Sequence, residues 1–297
     1  MESSNAAKQS EVIQPKVVPF FDEDTNTFSY VVSDPTSSVC AIIDSVLNFD
    51  MASGSVDHKN ADAIIAYVEE KKLQAEWIIE THVHADHLSA APYLKSHLGG
   101  KIAIGDKVSE VQEVFGGIFN AGPEFKTDGS QFDHLFTDGE KYSIGNLKAY
   151  VMHTPGHTPA CMTHVIADAI FAGDTIFMPD AGTARADFPG GDAATLYRSI
   201  QKILSLPEHS KIYMCHDYGE DRELEYLTSV KEELENNIHV KANIAEAEFV
   251  TMREARDKTL DVPHLILPSL QVNMRAGHLP DAEDDGRSYL KLPINAL

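Results

Sequence analysis

Residues 81–87 read T-H-V-H-A-D-H, and this stretch decides the fold. His82, His84, Asp86 and His87 are all metal-ligating residue types, packed into six positions. Clustering of this kind has no packing rationale, whereas imidazole and carboxylate are standard metal ligands. The preceding run Glu76–Ile79 (EWII) is apolar and short, so it is expected to be a strand. A helix is expected to follow from Ala90 to His97. The ligands therefore sit on a loop at the C-terminal end of a strand, where open α/β sheets bind their ligands. The i, i+2 spacing of His82 and His84 puts both imidazoles on one side of extended backbone. Asp86 and His87 can then turn towards a neighbouring point.

Three later segments repeat that placement. H-T-P-G-H-T-P-A holds His157 after an apolar run at 147–152. F-A-G-D-T holds Asp174 after 169–172, and M-C-H-D-Y-G holds His216 after 211–214. Alone, Asp174 could be a helix cap. In series with the other segments it reads as a ligand.

The rest of the chain gives the frame. Runs from Val17, Phe28 and Val39 are expected strands, separated by the turn-rich DEDTN and DPTSS. Asp57–Lys72 is an expected helix, with Ile64, Ile65 and Val68 on one face. Lys101–Ile104, Leu147–Met152, Met162–Ile166, Ala169–Ala172 and Lys211–Met214 are expected strands, and Ala193–Leu204 an expected helix. The Gly-rich stretch 116–129 reads as an irregular surface loop. Glu220–Ile238 reads as an acidic amphipathic helix, and Ile244–Lys258 as another. Alternating strands and helices after antiparallel opening hairpins predict a layered α/β protein with mixed sheets. The expected organisation is a flexible tail over 1–15, a catalytic domain over 16–219, and a C-terminal helical and extended segment over 220–297 packed on the same domain.

Composition narrows the partners. The 297 residues carry 24 Lys and Arg against 46 Asp and Glu, a net charge of −22. Such a chain repels phosphate backbones and anionic bilayers, so neither nucleic acid nor membrane is an expected partner. No apolar run is long enough for a membrane-spanning helix. The first residues have no signal-peptide character. Three distant cysteines suggest no disulfide framework. A reducing cytoplasm is the expected location.

The order H-x-H-x-D-H, P-G-H-T, G-D and a late His resembles the metal-binding series of the metallo-β-lactamase superfamily. That resemblance implies an αβ/βα sandwich with the metal site at one edge. HADHLSA, TPGHTPACMTHV, GDTIF with AGTARADFPGGD, HDY and LPSLQVNMRAG are similar to its persulfide dioxygenase branch, which is related to glyoxalase II. The likeness implies one iron(II) ion, Fe2+, per chain, held by His82, His157 and Asp174. His84, Asp86, His87 and His216 would then orient ligands or form a second metal position. A two-histidine, one-carboxylate triad leaves positions open for substrate and O2 together. The implied reaction oxidises glutathione persulfide with O2 and water to sulfite and glutathione. A glyoxalase II-type dizinc (Zn2+) hydrolase of S-acylglutathione thioesters is the alternative, since all seven candidate ligands are present. Family members commonly self-associate, so a homo-oligomer, dimer or tetramer, is expected.

Three residues are candidate substrate contacts. Arg185 could orient an anionic persulfide, pair with Asp187, or lie on the surface. Arg275 could hold a glutathione carboxylate. Tyr218 could line the pocket or pack. No catalytic residue is expected beyond the metal site.

Overall fold

The computed structural model describes residues 13–219 and 222–296. The strands are β1 (Lys16–Asp22), β2 (Thr27–Ser33), β3 (Val39–Ile43), β4 (Val46–Asp50), β5 (Ser55–Asp57), β6 (Gln74–Ile79), β7 (Leu88–Ser89), β8 (Lys101–Gly105), β9 (His134–Phe136), β10 (Lys141–Ile144), β11 (Leu147–His153), β12 (Met162–Ile166), β13 (Ala169–Phe171), β14 (Lys211–Tyr213) and β15 (Leu227–Ser229). The helices are α1 (Lys59–Glu70), α2 (Ala91–Leu98), α3 (Val108–Ile118), α4 (Ala193–Leu204), α5 (Val230–Asn236), α6 (Glu246–Asp257) and α7 (Ile266–Asn273).

Two six-stranded mixed sheets stack face to face, in the orders β1-β2-β3-β6-β8-β9 and β10-β11-β12-β13-β14-β15. The parallel pairs β3·β6, β6·β8, β8·β9 and β13·β14 need crossovers, which α1, α2, α3 and α4 supply. Both faces of each sheet are therefore covered, and the strands are apolar on both faces. In β2 and β3, Tyr30, Val32, Ala41 and Ile43 face the other sheet, while Val31, Cys40 and Ile42 face the helices. Ala149, Val151, Met162 and Phe171 answer from the second sheet. Leu196, Ile200 and Ile203 of α4 pack on its outer face against Ile170 and Ile212. Asp192 caps α4 by accepting from the Thr195 amide at 2.7 Å. The result is the expected αβ/βα sandwich.

Two expectations need correction, and one segment gains detail. Val108–Ile118 is a helix, with Val108, Val111 and Phe115 buried at helical spacing. The Gly-rich loop expected over 116–129 holds from residue 119 onwards, but its first three residues close this helix. Glu220–Ile238 is not one helix. Residues 220–221 lie outside the described residues, Leu227–Ser229 pairs with β14, and only Val230–Asn236 is helical. Pairing with a sheet edge outweighs helical periodicity here. Ile266–Asn273, within the proline-bearing end segment, forms α7, with Pro268 in the first turn where its missing N–H is tolerated. Of the expected tail over 1–15, residues 1–12 lie outside the described residues.

Candidate metal centre

The site forms where chain ends converge. Loop 80–87 leaves β6, Asp174 follows β13, His216 follows β14, and His157 lies in the turn between β11 and β12. Two glycines let these segments approach. Gly173 has φ +53°, and a Cβ there would lie 2.5 Å from Thr81 Oγ1 and 3.2 Å from His82 Nδ1. Gly156 has φ +133°, and its Cβ would fall 2.3 Å from the Leu196 backbone. Either side chain would push a ligand loop off its neighbour.

Loop 80–87 is pinned by Asp44, which ends β3 at φ +51°. Asp44 Oδ1 accepts from the Thr81 amide at 2.7 Å and from His84 Nε2 at 3.0 Å. Its Oδ2 accepts from Thr81 Oγ1 at 2.9 Å. Burial would raise the Asp44 carboxyl, but His84 and these donors hold it down at about 2. Because Thr81 Oγ1 gives its proton to Asp44, it accepts from His82 Nδ1–H at 3.0 Å. His82 Nε2 is thereby left as a lone-pair donor. Val83 and Ala85 alternate with the histidines and turn into an apolar pocket with Val111, Phe115, Phe188 and Leu270.

His157 is oriented from the other side. Its Nδ1–H donates to the Arg185 carbonyl at 2.8 Å, and the Phe188 ring stands edge-on to it at 5.5 Å. His157 Nε2 then faces Asp174 Oδ2 at 3.7 Å, and His82 Nε2 faces the same oxygen at 3.8 Å. The three donors lie mutually within 4.8 Å and all three residues are buried. Ligands about 2.1 Å from one ion stand about 3–3.6 Å apart, so these spacings are close to those of a metal-bound set.

The remaining candidates surround that triad. His216 Nε2 lies 3.2 Å from Asp174 Oδ1 and 3.1 Å from Asp86 Oδ2. Asp86 also faces His87 Nδ1 at 3.5 Å. His84 groups with Asp86 and His87 rather than with the triad. Its Nε2 is occupied by Asp44, with Glu80 Oε2 3.3 Å away.

The electrostatics favour a cation at this place. Burial alone would lower His216, yet Asp86 and Asp174 push it up to about 9. Asp174 is held well below the carboxylate range, where burial is overcome by His216, His82 and His157. Burial, then His84, keeps His82 neutral and able to ligate. A field that holds a proton on His216 also attracts a metal ion. Among the described residues, His82 Nε2, His84 Nδ1, both His87 nitrogens, Asp174 Oδ1 and His216 Nε2 are buried without a hydrogen-bond partner. Buried polar atoms are rarely left so. An ion at the triad would take His82 Nε2 and the Asp174 carboxylate, and a second ion could take one nitrogen each from His84 and His87, so the residues fit the expected metal.

The substrate candidates are placed differently. Arg185 Nε and Nη2 donate to both Asp187 oxygens, at 2.7 and 2.9 Å, and Nη1 donates to the Asp261 carbonyl at 2.7 Å. Of the readings considered, the geometry is that of the Asp187 pair. Tyr218 is 54% exposed, with its ring parallel to His216 at 6.5 Å. The Arg275 guanidinium lies over the Phe125 ring at 4.5 Å and donates to the Gln271 carbonyl.

Sequence reasoning missed Asp44, Glu80 and Asn273. Glu80 accepts from Ser89 Oγ at 2.7 Å. Asn273, at the end of α7, donates to the carbonyls of His84 at 2.8 Å and His87 at 2.7 Å, and accepts from the Ser89 amide at 2.8 Å. The one available signal was Asp44, a lone carboxylate ending an apolar strand. Asn273 lies 189 residues from His84 and gave none.

A profile of the metallo-β-lactamase superfamily matches residues 23–216, which contain every candidate ligand. The chain belongs to the metallo-β-lactamase superfamily. Across 94% of its length it is 55% identical to a Burkholderia pseudomallei protein named "Probable metallo-hydrolase", covering 98% of that protein. It is 50% identical to Glyoxylase B2 of Dictyostelium discoideum, over 95% of this chain and 98% of that one. The mitochondrial persulfide dioxygenase ETHE1 of Bos taurus is 29% identical, over 86% of this chain and 87% of its own. The crystal structure of ETHE1 from Myxococcus xanthus superposes with a TM-score of 0.71 at 26% identity, covering 89% of this chain and all (100%) of that one. Among the described residues, no helix is long and apolar enough to cross a membrane.

Proposed function

We propose that this superfamily member is a persulfide dioxygenase working at one iron(II) ion. The observation that carries the reading is the triangle of His82, His157 and Asp174, beside which His84 Nε2 is taken by Asp44. Two imidazoles and one carboxylate on one side of an ion are the donor set of non-haem iron(II) oxygenases. The similarity to ETHE1 over most of the chain supports it. The reaction is glutathione persulfide + O2 + H2O giving glutathione + sulfite + 2H+, in which the outer sulfur is oxidised and the S–S bond breaks.

Iron(II) held there supplies open coordination positions for a soft sulfur anion and for O2. The protein's own part is preorganisation. Thr81 and the Arg185 carbonyl fix the tautomers of His82 and His157, so both Nε2 atoms stay available. His216 Nε2, 3.2 Å from Asp174 Oδ1, faces one oxygen of that carboxylate while Oδ2 faces the two histidines. Asp86, His87 and His216 offer a polar wall that can hold the reacting water. Tyr218 at the exposed rim and Arg275 are the proposed contacts for the glutathione carrier. The Arg185–Asp187 pair acts through the loop that holds His157.

A second reading, dizinc hydrolysis of S-acylglutathione thioesters, is favoured by the unpartnered nitrogens of His84 and His87 and by the identity with Glyoxylase B2. O2 uptake by anaerobically purified, iron-loaded protein given glutathione persulfide separates the two. Rapid uptake with sulfite formation, lost in His157→Ala, is expected. No uptake from protein shown to hold iron, with turnover of S-lactoylglutathione by the zinc-loaded form, would move the assignment to the hydrolase.

A further inference from the structure

The loop that presents Arg185 to His157 is itself tied to a helix remote from the ligands. On α6, Arg253 is 1% exposed and Asp257 is 4% exposed. Arg253 Nε donates to Asp257 Oδ1 at 2.7 Å, and Nη2 lies 2.6 Å from the same oxygen. A buried ion pair is a weak source of stability, because desolvating two charges offsets most of their attraction. The other atoms of this pair suggest a different role. Arg253 Nη1 donates to the Thr183 carbonyl at 3.0 Å, and Asp257 Oδ2 accepts from the Ala186 amide at 2.9 Å. Arg185 lies between those two anchored residues. Its carbonyl accepts from His157 Nδ1–H at 2.8 Å.

We propose that Arg253 and Asp257 form a positioning pair for the metal ligand His157. The pair grips the loop on both sides of Arg185 and so fixes where the Arg185 carbonyl points. That carbonyl sets the rotation and tautomer of His157, and hence the aim of Nε2. Arg185 Nη1 on the Asp261 carbonyl, just beyond α6, adds a third tether to the same loop. The C-terminal segment thereby supports the metal centre without contributing a ligand. The inference rests on the metal-centre assignment above, and not on which reaction the centre runs.

The test measures zinc affinity of the full chain by chelator competition, beside the melting temperature of the metal-free form. The double variant R253M/D257L removes both charges at similar volume, a replacement that is often neutral or stabilising. It also removes both loop anchors. Its zinc affinity is expected to fall about 10- to 100-fold, the usual effect of losing support behind a ligand. The melting temperature of the metal-free form should stay within about 2 °C, a shift of roughly 1 kcal/mol. R253K keeps the charge and loses the Thr183 anchor, with an expected loss of about threefold, one ordinary hydrogen bond. In zinc-loaded protein labelled with ¹⁵N-histidine, the slowly exchanging His157 Nδ1–H signal should broaden in both variants. Wild-type zinc affinity in the folded double variant would overturn the proposal. If that variant does not fold, undiminished zinc affinity in R253K overturns it. Failure of the dioxygenase reading would leave these zinc measurements unchanged.

Discussion

Replacing Asn273 should loosen the metal loop from beneath. Asn273 is 4% exposed and makes three hydrogen bonds, to the His84 and His87 carbonyls and from the Ser89 amide. Asn273→Ala would leave two buried carbonyls and one buried N–H without partners. Each orphaned group costs about 1–3 kcal/mol, so with partial relaxation the total is about 3–5 kcal/mol. For a chain of this size that corresponds to a fall in melting temperature of roughly 5–8 °C. Part of the loss should appear in metal binding, because the loop must then be ordered by the metal itself. A share of ~2.7 kcal/mol is about 100-fold in affinity. Asn273→Asp should be worse than Asn273→Ala despite its matching shape, since a carboxylate would replace two donors and face two carbonyls. Differential scanning calorimetry of metal-free protein, paired with chelator competition for zinc, measures both effects. Wild-type zinc affinity together with a melting shift under 2 °C, or a milder effect from Asp than from Ala, would refute the reasoning.

Three further outcomes are expected. Stripping the metal should lower thermal stability, because the buried ligand atoms lose their partner. At a zinc concentration 100-fold above its dissociation constant, the metal adds ~2.7 kcal/mol, and His157→Ala should abolish most of that gain in a melting assay. Gly173→Ala should reduce bound zinc per chain, since its Cβ would meet Thr81 Oγ1 at 2.5 Å at a positive φ that itself costs about 1–2 kcal/mol. Full metal content in that variant would contradict the close-approach argument. Burial pushes the Glu233 carboxyl from 4.5 up to about 8. The folded state therefore holds a proton that the unfolded chain releases. The Glu233 contribution is fully present below about pH 4.5 and is lost as pH rises to 8, by up to ~5 kcal/mol. Glu233→Gln should flatten that decline in urea midpoints across the same window, and parallel curves for the two proteins would count against it.

The sequence was most informative where one chemical requirement is met by neighbours in the chain. The six positions 82–87 can hold four ligands only as a loop after a strand, and His157, Asp174 and His216 each follow an apolar run. Spacing therefore indicated both the ligand set and the strand ends that carry it. Periodicity placed α4 at Ala193–Leu204, because its apolar stripe is local. It missed the end of α3, where Gly116 and Gly117 were read as loop, and it failed at Leu227–Ser229, where a sheet edge overrides it.

By itself, then, the sequence determined the layered architecture, the family and the candidate ligands, because strand and helix periods and short motifs are properties of adjacent residues. Only the tertiary structure decided which nitrogens of His82, His84 and His157 are engaged, that Arg185 is bound to Asp187 and Asp261, and that α6 and α7 hydrogen-bond to loops of the site. Asp44, Asn273 and the Arg253–Asp257 pair act through hydrogen bonds to backbone distant in the chain. Such bonds depend on where folding brings a carbonyl or an amide, and every residue carries the same backbone groups, so no residue pattern marks them in advance.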